Sequence, residues 1–338
     1  MQASAPDRRL RFTIPPDQSG RTTLDFLHAR FPCFPDSGWT DRIARQRLVL
    51  NGTATTPDRI LQTADLLEYL DADIPEPAVN TNFSVIHRDA GLLVIDKPAG
   101  LPCHPGGRYF HNSLTEQLKL KLHLPDAPGS ELRSTTGPIL INRLDRETSG
   151  LVLVALDRRT AKLIQKQFAA RLVEKRYTVF VEHAFPETLD TDGYILPEPT
   201  SVVRKRRRFI PTALATPEQI QHPDADHATT HFRGLRTNGI ISEVEAIPKT
   251  GRTHQIRATL LACGFPVVGD KLYGIDPQIF LRFCNSTLTA DDHHRLRLNR
   301  QALHAAYLRF RNPATNQFQE FQAPLPSDLQ TLADWVRG

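Results

Sequence analysis

The chain has 338 residues, 40% of them hydrophobic and 23% charged, which describes a globular protein with room for a large core and, by length, about two domains. Its longest uninterrupted apolar run, Leu151–Leu156, falls far short of the roughly 20 residues a membrane helix needs, so no membrane partner is expected. The net charge of +5 permits a nucleic-acid partner without demanding one.

Residues 1–10 read as a loose tail with no apolar stretch of the kind that directs secretion. Cys33, Cys103, Cys263 and Cys284 are scattered and form no Cys-x-x-Cys pair. They fit reduced thiols in a cytoplasmic protein. His293-His294 has no partner at zinc-ligand spacing, so neither metal nor cofactor is expected.

From residue 11 to 72 the pattern is a small α/β module. Asn51-Gly52 after Leu48-Val49-Leu50 predicts a hairpin. Arg42 and Arg45 lie three apart on a predicted helix with Arg47 close by, which gives a basic face suited to RNA. Residues 73–82 hold Pro75-Glu76-Pro77 and read as a linker. A larger domain is then expected over 83–338. It begins with a strand pair, Phe83–Ile86 and Leu92–Ile95, followed by a mobile Gly-rich loop at His104–Tyr109. A helix over Ser113–Leu122 follows, with Ser113 as its cap.

The stretch Ile141-Asn142-Arg143-Leu144-Asp145-Arg146-Glu147-Thr148-Ser149-Gly150 leads straight into Leu151–Leu156, which has the branched content of a strand buried on both faces. Asp145 thus sits in a polar loop pinned to a rigid element, where catalytic groups are usually held. Ordinary turn chemistry explains the same residues equally well at this point. Beyond it, Thr160–Phe168 reads as a helix packing Ala161, Ile164 and Phe168. The alternation of Tyr177, Val179 and Val181 predicts a half-buried strand. Residues 186–230 look irregular and include the basic run Arg204-Lys205-Arg206-Arg207-Arg208, expected to contact phosphates if the partner is RNA. A strand over 240–247, a helix over Thr253–Cys263 closed by Gly264, an aperiodic insertion over 276–297, closing strand material near 300–310 and a terminal helix over Leu329–Val336 complete the chain.

Three segments resemble one family in its order. Val94–Leu101 (V-I-D-K-P-A-G-L), Ile141–Gly150 and Lys249–Arg257 (K-T-G-R-T-H-Q-I-R) are similar to the motifs of the RluA-type pseudouridine synthases. The middle motif of that family reads H-R-L-D-x-x-T-S-G, so Asn142 stands where the family usually has His. The front module resembles the S4-type RNA-binding module that such enzymes often carry. The resemblance implies an α/β (α+β) fold with a mixed, mostly antiparallel sheet and peripheral helices. It also implies an isomerase acting on uridines in tRNA or rRNA, expected to be a monomer.

By the same resemblance Asp145 is the catalytic carboxylate and Arg257 its partner. Arg143 enters the space a flipped base leaves, Tyr177 stacks on that base, and Arg252 and His254 help bind the substrate. Breaking a ribose–nitrogen bond and remaking it to carbon adds and removes no atoms, so a carboxylate suffices. A base must first leave its stack. His104–Leu114 resembles members that act on a tRNA anticodon loop. Two other readings stay open: a non-catalytic RNA-binding protein using the front module and basic segments, and a glycoside hydrolase, which would need a second carboxylate with Glu147 nearest.

Overall fold

The structure is a computed structural model and describes residues 9–31, 36–70, 76–106, 109–122, 137–201, 203, 205–276 and 278–338. Strand β1 (Arg9–Thr13) takes in the last residues of the stretch read as a tail, and α1 (Thr23–Arg30), α2 (Asp36–Ala44), β2 (Leu48–Leu50), β3 (Thr53–Ala54) and β4 (Leu66–Leu70) follow. The hairpin expected at Asn51-Gly52 is there. Both residues take positive φ (51° and 84°), and Leu50 pairs with Thr53 across them. The sheet order is β1-β4-β2-β3, with Phe26, Leu27, Trp39, Leu48, Leu67 and Tyr69 in the core. This front unit ends at Pro75, and a second compact unit runs from Glu76.

In the second unit, β5 (Ser84–Arg88) and β6 (Leu92–Lys97) form the expected strand pair, followed by α3 (Leu114–Leu122), β7 (Ile139–Leu140), β8 (Ser149–Ala155), α4 (Arg158–Ala169) and β9 (Glu174–Glu182). Glu76, read as linker, is bound into this unit, because its carboxylate accepts the amides of Phe110, His111 and Asn112. Ser113 stands directly before α3 as expected, and its carbonyl accepts the Gln117 amide, but its hydroxyl donates to the Phe110 carbonyl, outside the helix. Strand β9 is buried on both faces from Val179 onward, Phe180 included, because it lies mid-sheet.

The described residues of 186–230 are not irregular. They hold β10 (Thr188–Pro197), β11 (Arg207–Pro211), the short α5 (Pro217–Ile220) and the start of β12 (Asp226–Thr237), which pairs with β13 (Ile241–Pro248). Their polar outer faces hide the period that marks a strand, and pairing with neighbours decides the structure. After α6 (Gln255–Ala262), the 276–297 segment is likewise ordered, as α7 (Gln278–Cys284) and α8 (Ala290–Leu296). Arg282 holds these two helices through Asp276 and Asp292. Strands β14 (Leu303–Arg311) and β15 (Phe318–Gln322) and helix α9 (Ser327–Arg337) close the chain.

All these strands form one sheet in the order β11-β10-β12-β13-β9-β14-β8-β6-β5, with β15 on β14 and β7 on β8. Every pairing is antiparallel except β14 with β8. That contact depends on Gly150. Its φ is 107°, and a Cβ there would stand 2.3 Å from the Ala305 carbonyl oxygen, so Gly150 is a site of close strand approach rather than a turn residue. Helices α6 and α9 pack with β9 and β13 in one core, while α3 packs with β6 and β8 in another. Among the described residues no helix is long and apolar enough to cross a membrane.

Candidate active site

The loop from Asn142 to Thr148 is fixed from several sides. Leu144 is buried among Leu101, Leu114 and Val152. The Cys103 thiol meets both the Leu144 amide and the Leu144 carbonyl at 3.3 Å. Asn142 accepts the Leu153 amide (2.7 Å) and donates to the Leu151 carbonyl (3.2 Å), carrying the β7–β8 ladder onward with a side chain. Lys97, fully buried, donates to the carbonyls of Pro98, Leu101 and Arg146. Asp145 therefore stands on a rigid support.

Helix α6 brings Arg257 to it. Arg257 Nη1 donates to Asp145 Oδ2 at 2.6 Å, while Nε and Nη2 grip Asp270 at 2.6 and 2.8 Å. One buried guanidinium thus serves two carboxylates. Asp270 takes two further backbone amides, from Leu272 and Tyr273, and is the residue that sequence reasoning missed. Gln301 was missed as well; it reaches Asp145 Oδ2 at 3.3 Å and Thr148 Oγ1. Burial pushes the Asp145 carboxyl up, but Arg257 overrides it and holds the group below the usual range. Asp145 is ionised, and Oδ2 is the oxygen that is occupied. Oδ1 has His254 Nε2 at 3.7 Å.

The helix starts two residues later than its sequence pattern suggests. His254 adopts left-handed φ of 58°, which aims its ring at the cleft, and the Arg252 amide is received by Gln255 Oε1. His254 Nδ1 lies 2.9 Å from the Tyr273 hydroxyl. Burial lowers His254 to about 4, with Asp145 opposing. The contact with Asp145 is therefore between a neutral imidazole and a carboxylate, not an ion pair. Tyr177 comes in from β9, between Ala246 and Ala305, and burial followed by the Asp145 charge pushes its phenol up to about 12.

These groups line a cavity of about 90 Å³, with Lys175, Thr250 and Arg252 on its wall. Lys175 donates to the Thr250 carbonyl, and burial brings its ammonium down to about 8. Arg143, exposed at the mouth, makes no hydrogen bond or ion pair to any described residue. Five expected residues, Asp145, Tyr177, Arg252, His254 and Arg257, thus meet Arg143 at one cavity. Glu147 turns to Lys271 at 3.0 Å. Among the described residues no cluster is arranged to hold a metal ion.

The remaining basic residues lie elsewhere. In the front unit, the Arg42 guanidinium rests on the Tyr69 hydroxyl, Arg45 is exposed and pairs with Asp41, and Arg47 is exposed. Arg204 is outside the described residues, as are Gly107 and Arg108 of the Gly-rich loop. Lys205 is exposed, and Arg206 stands over the Tyr273 ring. Arg207 and Arg208 sit on the edge strand β11.

The profile of a family described as RNA pseudouridylate synthase matches residues 91–262, half of the chain. The chain belongs to the RNA pseudouridylate synthase family. It is 29% identical to the ribosomal large subunit pseudouridine synthase D of Xanthomonas campestris over 99% of this chain and 96% of that one. It is 33% identical to the mitochondrial tRNA pseudouridine(32) synthase of Saccharomyces cerevisiae over 67% of this chain, but spans only 45% of that protein. The solved human RNA pseudouridylate synthase domain containing 4 aligns with a TM-score of 0.54 at 25% identity, covering 75% of this chain and 93% of that one. The chain is thus an RNA pseudouridine synthase of RluA type by family. The matched span contains Asp145, Tyr177 and Arg257. Asp270 and Gln301 fall beyond it, so this synthase completes its carboxylate's surroundings with residues outside the matched span.

Proposed function

We propose that Asp145 is the catalytic carboxylate that converts a flipped uridine to pseudouridine, working through Oδ1. The observation that carries this is the sharing of Arg257. A carboxylate that a bound base will shield from water takes up a proton unless a cation pairs with it. Here the cation is fixed in place by a second carboxylate, Asp270, and consumes only Oδ2. Attack at the anomeric carbon, attack at carbon 6 of the base, and removal of a ribose proton all begin from such an oxygen. Tyr177 supplies the ring for stacking and Arg143 the free cation that fills the vacated stack. Cleavage as a glycoside hydrolase finds no support in Glu147, which is engaged by Lys271.

Asp145→Asn tests the reading. It keeps the side chain's shape and removes its charge, so pseudouridine formation should vanish while RNA affinity stays within about a factor of two, since phosphate contacts are untouched. Product formed by the variant at more than trace level would remove Asp145 from the chemistry.

The substrate in this reading is a uridine in a loop of tRNA or rRNA, where unstacking costs least, encountered in the cytoplasm. Relatives are named for both classes: the one named for the ribosomal large subunit is covered over 96% of its length and the one named for transfer RNA over 45%. The front unit is read as an S4-like RNA-binding module. The basic run at 204–208 is read as a further set of phosphate contacts. Arg45 and Arg47 are exposed and Arg42 is half-buried, so in the front unit the weight falls on Arg45 and Arg47. Replacing both with Ala should weaken RNA binding and flatten its salt dependence by about two charges' worth of slope. An unchanged slope would remove the front unit from the interface.

A further inference from the structure

The Tyr273 hydroxyl has two hydrogen-bond partners among the described residues: the Arg207 amide, at 2.7 Å, and His254 Nδ1, at 2.9 Å. The amide can only donate, so it occupies an oxygen lone pair. The hydroxyl's own hydrogen is then directed to Nδ1, the acceptor within reach. A neutral imidazole that accepts at Nδ1 carries its proton on Nε2. The network therefore assigns the tautomer of His254.

Among the described residues that proton has no hydrogen-bond partner. Asp145 Oδ1 is 3.7 Å from Nε2, beyond hydrogen-bond range. The ring lines the active-site cavity, with 14% of its side chain accessible. Its backbone is held at a φ of 58°, a conformation a non-glycine residue adopts rarely and one that recurs at functional sites. A strained residue presents an unmet donor beside the catalytic oxygen.

We infer that His254, locked by Tyr273, donates Nε2–H to a carbonyl oxygen of the flipped uracil and so helps select that base. The ligand chemistry is a carbonyl acceptor, at position 2 or position 4 of the ring. Position 4 would also exclude cytosine, whose amino group would set donor against donor. The inference rests on the reading of Asp145 as the catalytic carboxylate, because the same cavity must hold the base.

Sulfur is a weaker acceptor than oxygen, so target RNAs with 2-thiouridine or 4-thiouridine at the modified position probe the bond. The native enzyme should lose about five- to tenfold in kcat/KM on one of the two, the value of one neutral hydrogen bond. His254→Asn keeps a residue that tolerates the left-handed turn, but its amide stops short of the Nε2 position. This variant should be slower on uridine and process the penalised thio-RNA and the uridine RNA within about a factor of two of each other. Tyr273→Phe frees the tautomer and should shrink the same penalty, which keeps the test available if His254→Asn does not fold. The inference is overturned if the native enzyme shows no thio penalty, or if the penalty is equally large in both variants. Failure of the Asp145 reading looks different: Asp145→Asn would then form product, whatever the thio-RNAs do.

Discussion

Arg257 and Arg143 line the same cavity under opposite physical conditions. Arg257 is buried and divided between Asp145 and Asp270, with all three of its guanidinium nitrogens donating. Arg143 stands exposed at the mouth with no partner among the described residues. The floor of the cleft has its charges arranged before substrate arrives, so chemistry there needs little reorganisation. The rim leaves a cation unsatisfied, and in the proposed function RNA satisfies it. Stability should therefore respond to changes at the floor, and substrate recognition to changes at the rim.

Arg257→Ala strikes this division hardest. It strands two carboxylates at once, and breaking a buried pair costs roughly 3–5 kcal/mol. Product formation should fall with stability, and a variant with native melting temperature would show that the floor is not held by this ion pair. Acid comes next. His254 and His304 are both brought down to about 4, by burial in each case. Each is neutral when folded and protonates more readily when unfolded, so stability is full above about pH 6.5 and is lost as pH falls towards 4. At pH 5, about 1.5 units below the ordinary value, the loss is up to about 2 kcal/mol per group. Denaturant midpoints at pH 7 and pH 5 measure it, and His254→Asn should remove one share. A flat curve would mean that neither imidazole is held neutral.

Arg143→Ala should do the reverse of Arg257→Ala. Unfolding should shift by no more than about 0.5 kcal/mol, as for other exposed positions. kcat/KM should fall by about tenfold on a structured RNA, where a vacated stack must be filled, and less on a single-stranded one. Equal losses on both RNAs would take Arg143 out of the stack. Asn142→His should be nearly silent. Asn142 works through two hydrogen bonds to the backbone of β8, a bracing task an imidazole can share. A large gain in rate on introducing His would mean that the position does more than brace the loop.

How much of this was legible in advance differs by element. The buried β8, the hairpin at Asn51-Gly52 and helix α4 follow from short-range pattern, whereas the pairing of Asp145 with Arg257 was implied by the family resemblance alone. Strands β10 to β12 did not show, because their outer faces are polar, and neither did α7 and α8, which short-range polar pairs hold together. A polar-faced strand carries no period until a neighbour covers it.

The amino-acid sequence by itself determined the apolar rows that become the core, the turns that need positive φ, and the polar loop that presents Asp145. Only the tertiary structure decided that Asp270 would hold the far side of Arg257 and that Gln301 would reach Asp145. It also decided that Tyr273 would set the proton of His254, and that Gly150 would let β8 touch β14. Such contacts join residues as much as 156 positions apart, and no local period reports a partner that distant. Closing the sheet brings them together, and that closure is driven by burial of the core rather than by the polar groups that meet there.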